Sequence, residues 1–344
     1  IADFPLSNCA NSGVDVVGVL TQYESIQLNS YVAAGGRWGL DAKNSGVYVL
    51  PPREKADENL NVYRGTADAI SQNIDFIDTY APEHVLILSG DHIYKMDYDK
   101  MLDQHKEKNA AATIAVLNVT LEEAKRFGIM NCNPDGSIYE FEEKPAHPKS
   151  TLASMGIYIF TWSKLRKYLI DDENDPNSSN DFGKNIIPAM LANGENLQTY
   201  QFDGYWKDVG TIESLWEANM DLLSPNSGLD LEDDDWRIYG RTTAAPPHFT
   251  GKHATIKHSL VSEGCEIEGN VANSVLFPNV TVDTDATIEY SILMPDAVVD
   301  KGAVVQYAIV AEGAHIRAGA KIGNTPDEAG DNWGVAVVGP DVTI

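Results

Sequence analysis

The amino-acid sequence predicts an α/β domain with a mostly parallel sheet, followed by a parallel β-helix. Three observations lead to this prediction. The chain has 344 residues, too many for one ordinary compact domain. Its first two-thirds alternates short apolar runs with helical patterns, and its last third carries a short apolar repeat without helical spacing.

Four apolar runs in the first part have the length and residue types of strands that are buried on both faces. They are Val16–Leu20, Val85–Leu88, Thr113–Leu117 and Met155–Phe160. Two helices are predicted between and after them, because apolar residues recur at helical spacing. The first contains Ala67, Ile70, Ile74 and Ile77 after Thr66 as N-cap, and the second contains Ile212, Leu215, Trp216 and Leu223. A mostly parallel sheet of this kind binds ligands at the carboxyl ends of its strands.

The composition changes near Ser224. Asn226 to Asp235 is polar and strongly acidic, and Ala244-Ala245-Pro246-Pro247 follows. We interpret residues 1–224 as the α/β domain, 225–253 as a linker and 254–344 as the second domain. An ordinary long surface loop is the alternative to a linker.

The last part repeats a short apolar pattern every 15 to 17 residues. The repeats are Ser259-Leu260-Val261, Ser274-Val275-Leu276, Ser291-Ile292-Leu293 and Ala308-Ile309-Val310, with shorter echoes such as Cys265-Glu266-Ile267 between them. Apolar residues about six apart, with small residues at the corners, are typical of a β-helix coil of three short faces. A β-sandwich is the alternative.

The composition excludes several classes of function. The formal net charge is −26, which disfavours nucleic-acid binding because few cations are available to displace counterions. No apolar run reaches the length of about 20 residues that a membrane-spanning helix needs. The three cysteines, Cys9, Cys132 and Cys265, are far apart, which favours a reducing cytoplasm over a disulfide framework.

Two acidic residues are candidate metal ligands. Asp91 follows the apolar run Leu86-Ile87-Leu88-Ser89-Gly90, where an α/β sheet binds ligands, and carboxylates suit Mg²⁺. A turn or helix cap is the alternative role for Asp91. Asp208, in Trp206-Lys207-Asp208-Val209-Gly210, is either a second ligand or the cap of the following helix.

Two further segments have the residue types of a phosphate or sugar site. Glu142-Glu143-Lys144-Pro145 offers a compact cation for a phosphate and a carboxylate for sugar hydroxyls, although such pairs are often solvated surface features. Arg64-Gly65-Thr66 leads into a helix, whose first N–H groups favour phosphate, although the glycine also suits a plain turn.

Taken in order, these segments resemble the bacterial ADP-glucose pyrophosphorylase (glucose-1-phosphate adenylyltransferase) family of glycogen synthesis. The resemblance runs from Ile1 to about Gly323. It is carried by Asp3-Phe4-Pro5-Leu6-Ser7-Asn8-Cys9, Tyr63 to Ala69, Ser89 to Tyr94, Phe141 to Pro145, Ser154 to Tyr158, Asn180 to Lys184 and Trp206 to Gly210. It implies a Rossmann-like nucleotidyltransferase domain before a left-handed β-helix.

The resemblance also implies roles for individual residues. Asp91 and Asp208 hold the catalytic Mg²⁺, and Lys144 grips the phosphate of glucose 1-phosphate. Tyr63, Gly128, Glu143 and Ser154 line the glucose side of the pocket, and Gln22, Gly65 and Thr66 lie near the nucleotide. The implied reaction is attack by glucose 1-phosphate on the α-phosphorus of ATP, which releases pyrophosphate without a covalent enzyme intermediate.

Three expectations remain open to test. The family's Gly-rich triphosphate loop and first strand precede the Asp-Phe-Pro-Leu-Ser segment, whereas this chain begins at Ile1, so we expect the printed segment alone to be inactive. The alternatives to an adenylyltransferase are a UTP- or dTTP-using relative and a non-catalytic regulatory or scaffold subunit. The family implies an allosteric enzyme that forms a homotetramer or a mixed tetramer.

Overall fold

The computed structural model describes residues 1–23, 25–33, 35–42, 45–52 and 62–344. Its helices are α1 (Asp3–Asn11), α2 (Ser25–Val32), α3 (Thr66–Ser71), α4 (Ile74–Thr79), α5 (Tyr98–Glu107), α6 (Trp162–Glu173), α7 (Ile187–Ala192), α8 (Ile212–Asp221) and α9 (Pro326–Ala329). The strands of the first part are β1 (Val16–Leu20), β2 (Gly46–Leu50), β3 (His84–Leu88), β4 (His92–Tyr94), β5 (Ala112–Asn118), β6 (Gly128–Cys132), β7 (Ile138–Glu143), β8 (Leu152–Thr161), β9 (Leu197–Gln201) and β10 (Trp206–Asp208).

A six-stranded sheet forms the centre of the first part. Its order is β7-β6-β8-β5-β9, and β3 also pairs with β8. Strand β8 is antiparallel to β3, β5 and β6. Within this six-stranded sheet, β5 and β9 form the one parallel pair. The α/β class is confirmed, but the expectation of a mostly parallel sheet is wrong for these pairs, because β8 runs against its neighbours.

Strands β1 and β2 form a separate parallel pair. A largely apolar cavity of about 610 Å³ lies between β1 and β3, and both strands contribute to its lining. The four strands predicted from apolar runs are present as β1, β3, β5 and β8. Strands β1 and β3 are only half-buried, contrary to expectation, because each lines this cavity.

The helix predictions hold with three corrections. The predicted helix after Thr66 is divided into α3 and α4, which are separated at Gln72 and Asn73. Thr66 is the first helical residue rather than the N-cap, and the N-cap is Gly65. Helix α8 begins at Ile212 as predicted, but it ends at Asp221, so Leu223 lies beyond it.

The last part of the chain is a coil of three parallel sheets, which excludes the β-sandwich. The strands are β11 (Phe249–Thr250), β12 (Thr255–Lys257), β13 (Leu260–Val261), β14 (Glu266–Ile267), β15 (Asn270–Ala272), β16 (Val275–Leu276), β17 (Thr281–Val282), β18 (Thr287–Glu289), β19 (Ile292–Leu293), β20 (Val298–Val299), β21 (Val304–Gln306), β22 (Ala308–Val310), β23 (His315–Ile316), β24 (Lys321–Ile322) and β25 (Ala336–Val338).

Each turn of the coil places its residues over those of the next turn. Thr255 pairs with Asn270, 15 residues on, and Asn270 pairs with Thr287, 17 residues on. Inward side chains such as Ile267, Ile288 and Val305 are fully buried. The predicted repeat is therefore the period of the coil, because one turn buries its apolar residues only against its neighbours.

The acidic segment after α8 is held against the first part of the chain. Lys95 Nζ donates to Asp233 Oδ2 at 2.9 Å, and Trp236 Nε1 donates to Asn8 Oδ1 at 2.8 Å. The backbone N–H of Tyr239 donates to Ser7 Oγ at 2.8 Å. The segment without helix or strand between α8 and β11 is thus fastened to α1 rather than fully solvated.

Aromatic side chains join α8 to the coil. Trp216 Nε1 donates to the carbonyl oxygen of Tyr290 at 2.7 Å, and the Trp216 ring lies 6.0 Å from that of Tyr307. Tyr290 and Tyr307 stack with centroids 4.8 Å apart, although both have positive φ values of 47°. Stacking and the contact with Trp216 offset this backbone strain.

None of the helices within the described ranges is long and apolar enough to cross a bilayer. Cys9, Cys132 and Cys265 are all free thiols.

His105 is a buried titratable group in the centre of the first part. It lies on α5 and reaches both β5 and β8, with Nδ1 at 2.8 Å from Thr113 Oγ1 and Nε2 at 3.1 Å from Thr161 Oγ1. Burial, together with the positive charges of the nearby His84 and Lys106, lowers the pKa of His105 to about 4. The folded protein therefore holds a neutral imidazole here.

We expect this histidine to make stability depend on pH. An unfolded histidine has a pKa of about 6.5, so between that value and about 4 the unfolded chain binds a proton that the folded chain does not. The free energy of unfolding should fall by up to about 3 kcal/mol as pH decreases through this window.

Urea unfolding at pH 7, 6 and 5 measures the effect. His105→Gln should flatten the dependence, and His147→Gln, at an exposed position, is the matched control. An equal pH dependence in the wild-type and His105→Gln proteins would contradict the assignment.

Candidate functional site

Two short strands bring the predicted acidic residues together. Strand β4 pairs antiparallel with β10, and this register places Asp208 directly opposite His92. Asp91 immediately precedes His92 in the chain. Ligand atoms of Asp91, His92 and Asp208 all lie within 4.8 Å of one another. The geometry thus joins two carboxylates that are more than a hundred residues apart in sequence.

Local hydrogen bonds orient both carboxylates. Ser89 Oγ donates to Asp91 Oδ1 at 2.5 Å, and the backbone N–H of Gly210 donates to Asp208 Oδ1 at 2.8 Å. Asp208 does not cap α8, because Thr211 is the N-cap and its side chain accepts from Ser214 N. The alternative role of Asp208 as helix cap is therefore wrong.

His92 belongs to the same cluster, although the sequence analysis did not select it. Its ring is 8% exposed and packs edge-to-face on Trp206 with centroids 5.0 Å apart. Burial lowers the pKa of His92, and the charges of Asp91 and Asp208 oppose this effect. A signal was present in the sequence, since His92 follows Asp91, but nothing in the sequence showed that its ring points toward the carboxylates.

Within the described ranges, no lysine or arginine forms an ion pair with Asp91 or Asp208. The neighbouring Lys207 turns away to Glu217 at 3.0 Å and Asp221 at 3.2 Å. Two adjacent carboxylates with an open side have the donor chemistry that a divalent cation requires.

Lys144 lies across an open cavity from Asp208. This cavity of about 410 Å³ is lined by Lys125, Arg126, Phe127, Lys144 and Asp208. Lys125 is bonded to Glu122 at 2.6 Å, whereas Lys144 is 66% exposed, and the carboxylate that it approaches among the described residues, Glu143, is 4.0 Å away. Sequence analysis missed Lys125 and Arg126, which lie in the 3-10 helix Glu123–Arg126, because an adjacent basic pair has no distinctive spacing.

Lys144 has a strained backbone conformation, and a backbone hydrogen bond holds it in place. Lys144 has a φ of 46° and precedes Pro145, and a non-glycine residue with positive φ is uncommon. Its N–H donates to the carbonyl oxygen of Phe127 at 3.1 Å, which ties it to the segment that carries Arg126. Strain of this kind is common at functional sites.

Glu143 and Gly128 are direct partners in the β6–β7 pair. A Cβ on Gly128 would lie 2.6 Å from the Phe141 ring and 3.2 Å from Glu143 Oε2, so only glycine fits there. Glu143 Oε2 would also lie 2.9 Å from a Cβ on Gly183. Partial burial raises the pKa of Glu143, and the charge of Lys144 opposes this effect.

Ser154 lies on β8 beside a buried aromatic cluster. Its Oγ accepts from the Gly156 N–H at 3.2 Å and lies 3.4 Å from the Tyr158 hydroxyl. The Tyr158 ring stacks on that of Phe182 with centroids 5.8 Å apart. Ser154 is therefore held on the same strand as Gly156, the residue that makes room for His92.

The structure joins two residues that were expected on different sides of the pocket. The Tyr63 N–H donates to Gln22 Oε1, and the Tyr63 hydroxyl donates to the carbonyl oxygen of Leu50 at 2.7 Å. Tyr63, expected on the hexose side, thus contacts Gln22, expected on the nucleotide side. Both lie beside the ends of β1 and β2.

Gly65 and Thr66 pack against the segment that leads into Gly183. A Cβ on Gly65 would lie 2.3 Å from the carbonyl oxygen of Asn180, so the close approach requires glycine. Thr66 Oγ1 donates to Asp181 Oδ2 at 3.1 Å and accepts from Phe182 N at 3.1 Å. These contacts connect the helix start at α3 with the Glu143 region through residues 180–183.

Two family profiles match the chain. The nucleotidyl transferase profile matches residues 1–225, and the profile of the GlmU-like C-terminal hexapeptide matches residues 246–342. The first covers the α/β part with Asp91 and Asp208, and the second covers the coil.

The chain is also similar to proteins named glucose-1-phosphate adenylyltransferase. It is 62% identical over 289 residues to that of Clostridium perfringens (strain SM101 / Type A), which covers 84% of this chain and 74% of the relative. It is 59% identical over 288 residues to that of Clostridium novyi (strain NT), covering 84% and 75%. For Desulforamulus reducens the identity is 58% over 288 residues, covering 84% and 72%.

We expect Asp91→Asn and Asp208→Asn each to weaken Mn²⁺ binding at least about tenfold, because each removes one of two charged oxygen donors. Isothermal titration of the purified protein with MnCl₂ measures the affinity. Asp203→Asn is the matched control, since Asp203 is exposed and lies on the same segment as Asp208. If Asp91→Asn and Asp208→Asn bound Mn²⁺ as tightly as Asp203→Asn does, the proposed metal site would be contradicted.

Proposed function

The chain belongs to the glucose-1-phosphate adenylyltransferases, and we propose that it transfers the adenylyl group of ATP to glucose 1-phosphate. The products are ADP-glucose, the precursor for glycogen synthesis, and pyrophosphate. The observation that carries the proposal is that Asp208 lies beside Asp91 and also lines one open cavity with Lys144. In this proposal Asp91, Asp208 and Lys144 are the catalytic residues.

The carboxylates of Asp91 and Asp208 would hold the metal, and their oxygen donors fit Mg²⁺. When bound, such an ion neutralises phosphate charge and orients the phosphates. Ser89 and Gly210 keep the two carboxylates in position through their hydrogen bonds. Since no covalent intermediate is needed, these residues contribute by positioning and by electrostatics.

Lys144 would bind the phosphate of glucose 1-phosphate. Its ammonium group is exposed toward the cavity that Asp208 also lines, so a phosphate there can approach both the lysine and the metal position. The nearby Arg126 adds a second positive charge to the same cavity, and its guanidinium suits phosphate oxygens. The nucleophile is the phosphate oxygen itself, which is already ionised at neutral pH and needs no general base.

The resemblance also assigns residues to the hexose and nucleotide sides of the pocket, and contacts in the structure support two of these groupings. Glu143, Gly128 and Ser154 would line the hexose pocket, and the fit of Gly128 against Glu143 supports grouping these two. Gln22, Gly65 and Thr66 would contact the nucleotide. The bond between Tyr63 and Gln22 suggests that Tyr63 connects the two halves of the pocket.

The cavity between β1 and β3 suits a further strand. The resemblance places a strand and a Gly-rich loop ahead of Ile1, and within the described residues β1 and β3 have no partner on the sides that line this apolar cavity. A strand inserted there would join the β1–β2 pair to the central sheet. Activity is therefore best tested on the full-length protein.

The alternative of a non-catalytic subunit is less well supported. Catalysis uses two neighbouring carboxylates and an exposed lysine near one of them, and a subunit without catalytic activity has no need of this arrangement. A preference for UTP or dTTP over ATP would depend on the residues that contact the base. The activity assay below distinguishes these nucleotides.

We also propose a cytoplasmic, allosteric tetramer, either of identical chains or with a related subunit. Exposed apolar residues at the ends of the coil support assembly: Phe249 is 56% exposed and Val337 is 50% exposed. Burying these ends against another subunit would stabilise the coil. Light scattering on a size-exclusion column measures the assembly.

We expect the full-length protein to release pyrophosphate from ATP and glucose 1-phosphate with Mg²⁺, and to do so far more slowly with UTP or dTTP. A pyrophosphate-release assay with each nucleotide, together with mass analysis of the sugar nucleotide, measures this. Faster turnover with UTP would assign the chain to a different nucleotide preference, and no release with any nucleotide would favour a non-catalytic subunit.

We expect Lys144→Ala to raise the KM for glucose 1-phosphate about 10- to 100-fold, because a charged hydrogen bond to phosphate contributes about 1.5–3 kcal/mol. The KM for ATP should change much less. Lys149→Ala is the matched control, since Lys149 is 59% exposed but bonded to Glu140 at 2.7 Å. An unchanged KM for glucose 1-phosphate in Lys144→Ala would remove this role.

A further inference from the structure

His92 is a buried residue whose ring has one unsatisfied nitrogen. The residue is 8% exposed, and its Nδ1 has no hydrogen-bond partner among the described residues. The backbone of Met155 lies close to the ring, but no hydrogen bond of normal geometry joins it to Nδ1. Because Nδ1 makes no hydrogen bond, packing rather than hydrogen bonding at this nitrogen holds the ring in its orientation.

The other ring nitrogen faces the carboxylates. Nε2 of His92 lies 3.4 Å from Asp91 Oδ1, and Asp208 is the direct cross-strand partner of His92. Two donors that bind one ion at right angles, each about 2.2 Å away, lie about 3.1 Å apart. The observed separation is therefore close to that of two neighbouring ligands on a single ion.

The surroundings of the ring fix its direction. Trp206 packs against one side of the imidazole, and Gly156 leaves space on β8. A Cβ on Gly156 would lie 3.3 Å from His92 Cε1, a tight contact, and Gly156 has a φ of 68°, which disfavours any other residue. Three strands thus define the place that the imidazole occupies.

We propose that His92 is a third ligand, so that the ion lies between two carboxylate oxygens and one imidazole nitrogen. This inference rests on the proposed metal site at Asp91 and Asp208. It has a consequence for metal preference: a nitrogen donor favours Mn²⁺ and Co²⁺ over Mg²⁺, which prefers an all-oxygen set. The site should therefore bind Mn²⁺ more tightly than Mg²⁺, and His92 should supply much of the difference.

Pulsed electron paramagnetic resonance of the Mn²⁺-loaded protein tests the ligand directly. A nitrogen bound to Mn²⁺ modulates the electron spin echo, whereas a histidine that only packs nearby gives no directly coordinated nitrogen coupling. We expect this coupling in the wild-type protein and its loss in His92→Phe, which keeps a ring against Trp206. Mn²⁺ that binds in an Asp91-dependent way without nitrogen coupling would overturn the inference.

Affinity measurements separate this inference from the metal site itself. His92→Phe should raise the Kd for Mn²⁺ about tenfold or more and the Kd for Mg²⁺ less than about threefold. Asp91→Asn should weaken both. If Asp91→Asn leaves Mn²⁺ binding unchanged, the proposed metal site fails. If only His92→Phe leaves it unchanged, the site stands and the role of His92 fails.

Discussion

An antiparallel ladder of three residue pairs, between β4 and β10, holds both acidic groups of the site in place. So short a ladder is weak by itself, and contacts from elsewhere support it. Asn8 on α1 donates to the carbonyl oxygen of Tyr94 at 3.1 Å and accepts from the N–H of Met96 at 3.2 Å. Because the same Asn8 oxygen also accepts from Trp236, α1, β4 and the acidic segment before the coil are linked through one buried amide.

Parts of the site hold conformations that their residues do not favour alone. A non-glycine residue with positive φ costs about 1–3 kcal/mol, and Lys144 adopts one at 46° next to Pro145. Gly128 and Gly65 sit where a Cβ would meet neighbouring atoms at 2.6 Å and 2.3 Å. Packing of the surrounding strands offsets the strain at Lys144, and the two glycines allow their neighbours in β7 and in the 180–183 segment to approach closely.

The sequence was most informative where one physical rule dominates. Apolar runs identified β1, β3, β5 and β8, and the repeat identified the coil, because burial fixes both patterns. Strand direction was not predictable, since it depends on which strand lies beside β8. Position and resemblance identified Asp91 and Asp208 as candidate metal ligands. His92 and Arg126 were missed, because the β4–β10 register and the 3-10 helix before β6 bring them to the site.

Asp91 and Asp208 are proposed to share one divalent cation, and an anomalous difference map tests this most directly, from crystals of the protein grown with Mn²⁺ and a non-hydrolysable ATP analogue. If they share one ion, the map shows one strong peak within about 2.3 Å of an oxygen of each carboxylate. A peak bound to one aspartate alone, or a map with no peak between them while the nucleotide is bound, would contradict it.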